Sequence, residues 1–196
     1  MESADDVESL KKYNGLYLEI INRYRDYIEE HENLYIAELP KLVKPDEKSV
    51  AAFASALTAK MDGYGYDRDF PKAAMAAFAH VNEAIAPAVT PVQFWLAPEQ
   101  TLSLRCGDSF DKAVLLCSLI IALGNPSSRI IIATGDNYRV FLVYFEFNGE
   151  LTVMDIEAKK SSAFKSKEEI LRAYDIKDSE STSAYEFNNK MYIDIA

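Results

Sequence analysis

Apolar residues in the first third of the chain recur at three- and four-residue steps. Tyr13, Tyr17, Ile20, Tyr24, Tyr27, Ile28, His31 and Tyr35 line one side of a helix, and Glu, Asp, Lys and Arg fill the other. The pattern predicts a helix running to Leu39, broken by Pro40, with a loop through Lys44, Pro45 and Asp46. Its stripe is mostly tyrosine, each ring apolar with one polar tip, so either the rest of the domain or a partner can cover it. An alanine-rich amphipathic helix is predicted over residues 49–61, then a turn at 62–65, then a second alanine-faced helix over 70–85 with Pro71 in its first turn. Pro87 and Pro91 bracket a link into 92–96, read as a buried strand, and 98–102 reads as a short helical turn.

From residue 109 to 123 apolar side chains occupy most of the helical circumference, the mark of a buried central helix. Gly124 stops it and Pro126 follows. The period then changes to that of strands over 129–134, 139–147 and 150–156, with Asn148-Gly149 as a hairpin signal between the last two. A surface helix over 167–174 and a closing hairpin around Asn188-Asn189 complete the chain. Helices, one buried helix, then antiparallel strands make an α+β fold. The expected division is an N-terminal helical region, 1–62, and a domain, 63–196.

Composition narrows the class. The chain has 196 residues, 49% of them hydrophobic, with 7 Gly and 7 Pro, which excludes a disordered or fibrous protein. A net charge of -10 with scattered lysines and arginines argues against nucleic acid as a partner. The most apolar run, 113–123, is too short to span a bilayer, and residues 1–8 are acidic with no apolar run behind them. A cytoplasmic protein is expected, with no membrane partner and with Cys106 and Cys117 as free thiols. With 2 His and 2 Cys, none at ligand spacing, neither a metal nor a cofactor is expected.

The chemistry concentrates where the buried helix begins, at Gly107-Asp108-Ser109-Phe110-Asp111-Lys112-Ala113. A helix N-terminus offers free N–H groups and a positive dipole end, and thiol enzymes seat a cysteine there because the dipole lowers its pKa. The run from Gly107 to Gly124 resembles the nucleophile helix of the transglutaminase-like superfamily, above all its archaeal members. The upstream stretch from Pro91 to Leu102 is similar to the family's preceding segment. Val140 to Tyr144, the Asn148-Gly149 turn and Val153 to Asp155 are similar to its strands bearing histidine and aspartate. The resemblance covers the chain from about Tyr66 onward and leaves the first helix outside. It implies a papain-like core in which the nucleophilic cysteine falls on Ser109, the histidine on Arg139 (or Tyr138, one residue back), and the orienting aspartate on Asp155.

Two of those three positions depart from the family. A serine hydroxyl needs a neighbouring base to become a nucleophile, and arginine stays protonated at any accessible pH. Thiol catalysis is therefore not expected. Asp108 or Ser109 should cap the helix and Arg139 should pair with Asp155. The leading expectation is a binding or scaffolding protein on a degenerate domain, with a protein or peptide partner and self-association through the tyrosine-lined first helix. A second is a cysteine hydrolase or acyltransferase using Cys106, with His80 as its base. A third is an anion pocket in which Arg139 and Ser109 hold a carboxylate or a peptide C-terminus.

Overall fold

A computed structural model describes residues 4–26, 36–88, 95–135, 138–176 and 183–195. They fall into two units, Met1–Tyr35 and Ile36–Ala196. The first contains helix α1 (Ala4–Arg23), on which Leu16, Tyr17, Leu18 and Ile20 are exposed, as is Tyr24 just after it. Residues 27–35 of the expected long helix lie outside the described ones. The chain resumes as a 3-10 helix, Ile36–Leu42, with Pro40 inside it.

The second unit begins earlier than the expected boundary at 62/63. Helix α2 (Lys48–Thr58) packs on the buried central helix, so the sequence between 36 and 62 belongs to the same body as the sheet. Helix α3 is Tyr66–Ala84, and Pro71 sits in its second turn instead of its first. The start is drawn upstream by two side chains. Asp69 Oδ2 accepts from the Gly65 amide at 2.9 Å, and the Arg68 guanidinium donates to the carbonyls of Asp62 and Gly63 at 3.1 and 2.6 Å. Pro71 costs one amide bond there, which the anchored first turn tolerates.

A two-residue strand β1 (Ala86–Pro87) pairs in parallel with β2 (Cys106–Gly107), and helix α4 (Pro98–Leu104) lies between them in sequence. Most of the strand expected over 92–96 falls outside the described residues, and Trp95 and Leu96 carry no regular structure. Helix α5 (Ser109–Ala122) is buried from Phe110 to Ile120, as its all-round apolar pattern requires.

Strands β3 (Arg129–Gly135), β4 (Tyr138–Phe147), β5 (Glu150–Asp155) and β6 (Lys160–Phe164) follow. Helix α6 (Lys167–Ala173) comes next, and then β7 (Ser183–Phe187) and β8 (Tyr192–Asp194). All pairings in this six-stranded sheet are antiparallel, in the order β6-β5-β4-β3-β7-β8. Asn148 (φ 53°) and Gly149 (φ 79°) make the predicted two-residue turn, in the left-handed conformations that match strand twist. The second predicted hairpin also forms: Asn188 Oδ1 accepts from the amides of Lys190 and Met191. Strand β6 carried no sequence signal.

The sheet is covered on both faces. Alternation along each strand sends Phe141, Val143, Phe145, Met154, Ile130 and Phe187 toward α5, in one core with α2 and α3. It sends Ile131, Ala133, Leu142, Tyr144 and Val153 to the other face, where Ile170 of α6 and Ile176 close a smaller core. Among the described residues no helix is long and apolar enough to cross a membrane.

Candidate functional site at the tip of the buried helix

Asp108, not Ser109, caps α5. Its side chain accepts from the Asp111 amide at 2.9 Å, and the Asp111 carboxylate reaches back to the Asp108 amide at 3.0 Å. This reciprocal box satisfies one helix amide and one pre-helix amide. The other oxygen of Asp111 accepts from the Leu96 amide at 2.8 Å and so ties the preceding segment to the tip. Gly107 makes the arrangement sterically feasible, because a Cβ there would lie 2.9 Å from Asp111 Cβ. Burial pushes the Asp111 carboxyl up to about 6, against the opposing pull of its two backbone donors. The Lys112 amide bonds the Asp108 carbonyl. The amides of Ser109 and Phe110 have no acceptor among the described residues, which is the normal condition of a helix's first turn.

Ser109 is half-buried in that first turn. Arg139 is exposed at the start of β4, its guanidinium carbon 5.9 Å from the centre of the Phe141 ring. It shares the parity of Phe141 and Val143, and therefore the α5 side of the sheet. Asp155 does not. It lies directly opposite Leu142, whose side chain belongs to the core on the α6 side. There it is 8% exposed, accepts from the Ala158 amide at 2.8 Å and bonds the Tyr174 hydroxyl. Asp155 thus holds the β5–β6 turn and the end of α6. The expected Arg139–Asp155 ion pair is not formed, because one residue of register separates the two faces. The side chain of Tyr138 lies outside the described ones.

Cys106 is half-buried in β2, and no hydrogen bond joins it to His80 among the described residues. His80 packs against Phe53 with ring centroids 4.3 Å apart and the planes tilted by 45°, in the wall of a cavity of about 750 Å³ shared with Glu99, Leu102 and Arg105. Burial, and then the Arg105 charge, lower its pKa. Cys117 is fully buried, accepts from Ser128 at 3.5 Å, and burial pushes its thiol up to about 12. Among the described residues no group of three His, Cys, Asp or Glu side chains could hold a metal.

The residue that sequence reasoning passed over is Lys112. It sits three positions after Ser109, on the same side of α5. Only 7% exposed, it makes no hydrogen bond or ion pair among the described residues. Burial lowers its pKa, and the Lys159 charge in the β5–β6 turn lowers it further. The one hint in the sequence was a lysine inside an otherwise apolar helix, a position where an unpaired charge is costly.

No family model and no curated protein sequence matches the chain. Solved structures do. LapG of Legionella pneumophila in its calcium-bound form superimposes with a TM-score of 0.50 at 16% identity, covering 81% of this chain and 87% of that one. Its EGTA-treated form gives 0.51 at 15%, covering 83% and 87%. Identities this low speak to architecture alone, and in architecture this chain is an α+β domain of the transglutaminase-like, papain-like fold.

Proposed function

We propose that this chain is a non-catalytic binding or scaffolding protein built on a transglutaminase-like domain whose thiol chemistry is absent. The observation that carries the reading is the separation of the three family positions. Ser109 stands at the helix tip without an imidazole, Arg139 can accept no proton, and Asp155 is committed to the far face of the sheet. The partner is a protein or peptide, and the exposed Leu16, Tyr17, Leu18 and Ile20 of α1, with Tyr24 just after it, offer a surface for it or for a second copy.

A direct test is chemical. The native protein is treated with a vinyl sulfone and with a fluorophosphonate, and intact mass is followed. No adduct at Ser109 is expected, and Cys106 should react no faster than a free thiol in solution. Cys106 labelling far above that rate, lost in His80→Ala, would establish the cysteine-hydrolase reading in its place. A second reading, anion binding beside Arg139, is favoured by one specific observation: the guanidinium makes no ion pair among the described residues.

A further inference from the structure

The cavity that holds His80 lies among α2, α3 and α4, all within the second unit, and at about 750 Å³ it has the size of a small-molecule site. Its middle is apolar, formed by Ala52, Phe53 and Ala56 of α2 and Leu102 of α4. Its two ends differ. At one end the starts of α2 and α4 meet: Glu47, the N-cap of α2, is hydrogen-bonded to the side chain and the amide of Glu99 in the first turn of α4. At the other, His80 packs against Phe53, one turn on from Ser49, and Arg105 closes α4, six residues and about 9 Å past Glu99. The first end carries oxygens that the fold leaves unmet. Glu47 caps none of its own helix amides, and its Oε2 is buried with no hydrogen-bond partner. Ser49, in the cavity wall, has a buried Oγ that also lacks one. Elsewhere on α2, by contrast, the hydroxyls of Ser55 and Thr58 donate to carbonyls one turn back, at 2.8 and 3.3 Å. Among the described residues no ion pair joins Glu47 or Glu99 to a lysine or arginine.

We infer that this cavity is a binding site for a primary amine on an apolar body, with the ammonium held by Glu99, Ser49 Oγ and Glu47 Oε2 and the body lying against Phe53 and Leu102. An ammonium has three donors and no acceptor, and the three oxygens at this end offer what it needs. A buried polar atom without a partner is costly, and two such oxygens beside one cavity are met together by a single donor group. Charge selects against the alternatives. A carboxylate placed here would face two carboxyl groups, and an alcohol would bring one donor and no counter-charge. Burial raises the Glu47 pKa and the bond to Glu99 raises it further, as expected of two carboxyls sharing a site without a cation. Arg105 is exposed at the far end, where solvent screens its repulsion of an ammonium near Glu99. The Phe53 ring supplies a flat apolar wall for the body of the ligand. The site is separate from the tip of α5, and the non-catalytic reading does not depend on it.

The test is an amide-resolved NMR titration of the full chain at pH 7 with phenethylamine, 2-phenylethanol and 3-phenylpropionate, three probes that share a body and differ in the head group. The amine should shift the Ser49, Phe53 and Leu102 amide signals. It should bind at least about tenfold more tightly than the alcohol or the acid, a difference of ~1.4 kcal/mol. Glu99→Gln, a change at an exposed side chain that should leave the melting midpoint near the wild-type value, should weaken the amine about tenfold and leave the alcohol unchanged. Ser49→Ala should weaken the amine by about threefold, and Arg105→Ala should not weaken it. Equal binding of amine and alcohol overturns the ammonium site and reduces the cavity to an apolar groove. Tighter binding of the acid that Arg105→Ala abolishes overturns it in favour of an anion site. No saturable shift with any probe overturns the cavity as a site at all. Each of these failures leaves the non-catalytic reading standing, since that reading is decided by labelling at Ser109 and Cys106.

Discussion

Glu186 and Lys112 are both charged residues with little exposed surface, on opposite faces of one sheet, and they are treated in opposite ways. Glu186 is 0% exposed on the α6 side, and three donors reach it. Arg129 Nη1 lies 2.6 Å and the Tyr144 hydroxyl 2.7 Å from Oε1, while Lys167 holds Oε2. Burial alone would raise its pKa, but the bonds from Lys167, Tyr144 and Arg129 outweigh it and hold the carboxyl below the usual range. Lys112 is 7% exposed and has none of these partners among the described residues: its stem is buried while its ammonium keeps contact with solvent. Where the fold needs a charge for its own cohesion it supplies partners. A charge left without them keeps its head group in water while its stem packs against the fold.

The largest effect should come from breaking the satisfied side. Glu186→Ala strands Arg129 and Lys167 and should cost about 3 kcal/mol in urea unfolding. The sign with pH follows from the lowered pKa of Glu186. Its contribution is present above the unfolded carboxyl's pKa and is lost as pH falls through the lower, folded value, so the gap between wild type and variant should close below pH ~4. Asp111→Asn comes next, at about 2 kcal/mol, because the amide sets a donor against one of the two backbone N–H groups the carboxylate accepts. An unchanged melting midpoint would remove Asp111 as the anchor of the 95–97 segment.

Lys112→Met should move stability the other way, a gain below about 1 kcal/mol because the ammonium is only partly desolvated. The lysine pKa is lowered on folding, so the unfolded chain binds the proton more tightly. The gain should be full at neutral pH and shrink as alkali discharges the ammonium in both states. A loss of stability would show that Lys112 has a partner and would end the contrast with Glu186. The smallest effect is kinetic. Iodoacetamide at pH 8 should modify Cys106 and leave Cys117 untouched until the chain is unfolded, since burial holds the second thiol near 12.

Most of the architecture was legible because local rules and global packing agree along this chain. The all-round apolar run of α5, the Asn148-Gly149 turn and the Asp108 cap each follow from one physical requirement. What the sequence concealed depends on register and on tertiary contact. Asp155 has the right spacing for the family's aspartate, yet the face it occupies is set by its pairing with Leu142, and a shift of one residue reverses that face. Pro71 reads as a helix start until Asp69 and Arg68 are seen holding the turn before it. Strand β6 reads Lys-Ser-Ser-Ala-Phe, with too little β-branched or aromatic character to mark an edge. The alanine face of α2 likewise gives no sign in the sequence that it packs on α5. Lys112 was passed over because a lysine is read as solvated unless its burial is known.

The commitment of Asp155 to Tyr174 and to the turn at Ala158 also bears on what could be made from this scaffold. A cysteine at 109 and a histidine at 139 would put a thiol and an imidazole on the α5 side of the sheet, while the Asp155 carboxylate stays on the other side and cannot fix the ring's tautomer. Point replacement at these two positions therefore does not bring a thiol, an imidazole and Asp155 together. Strand β5 would first have to slide by one residue, which would turn the smaller core inside out.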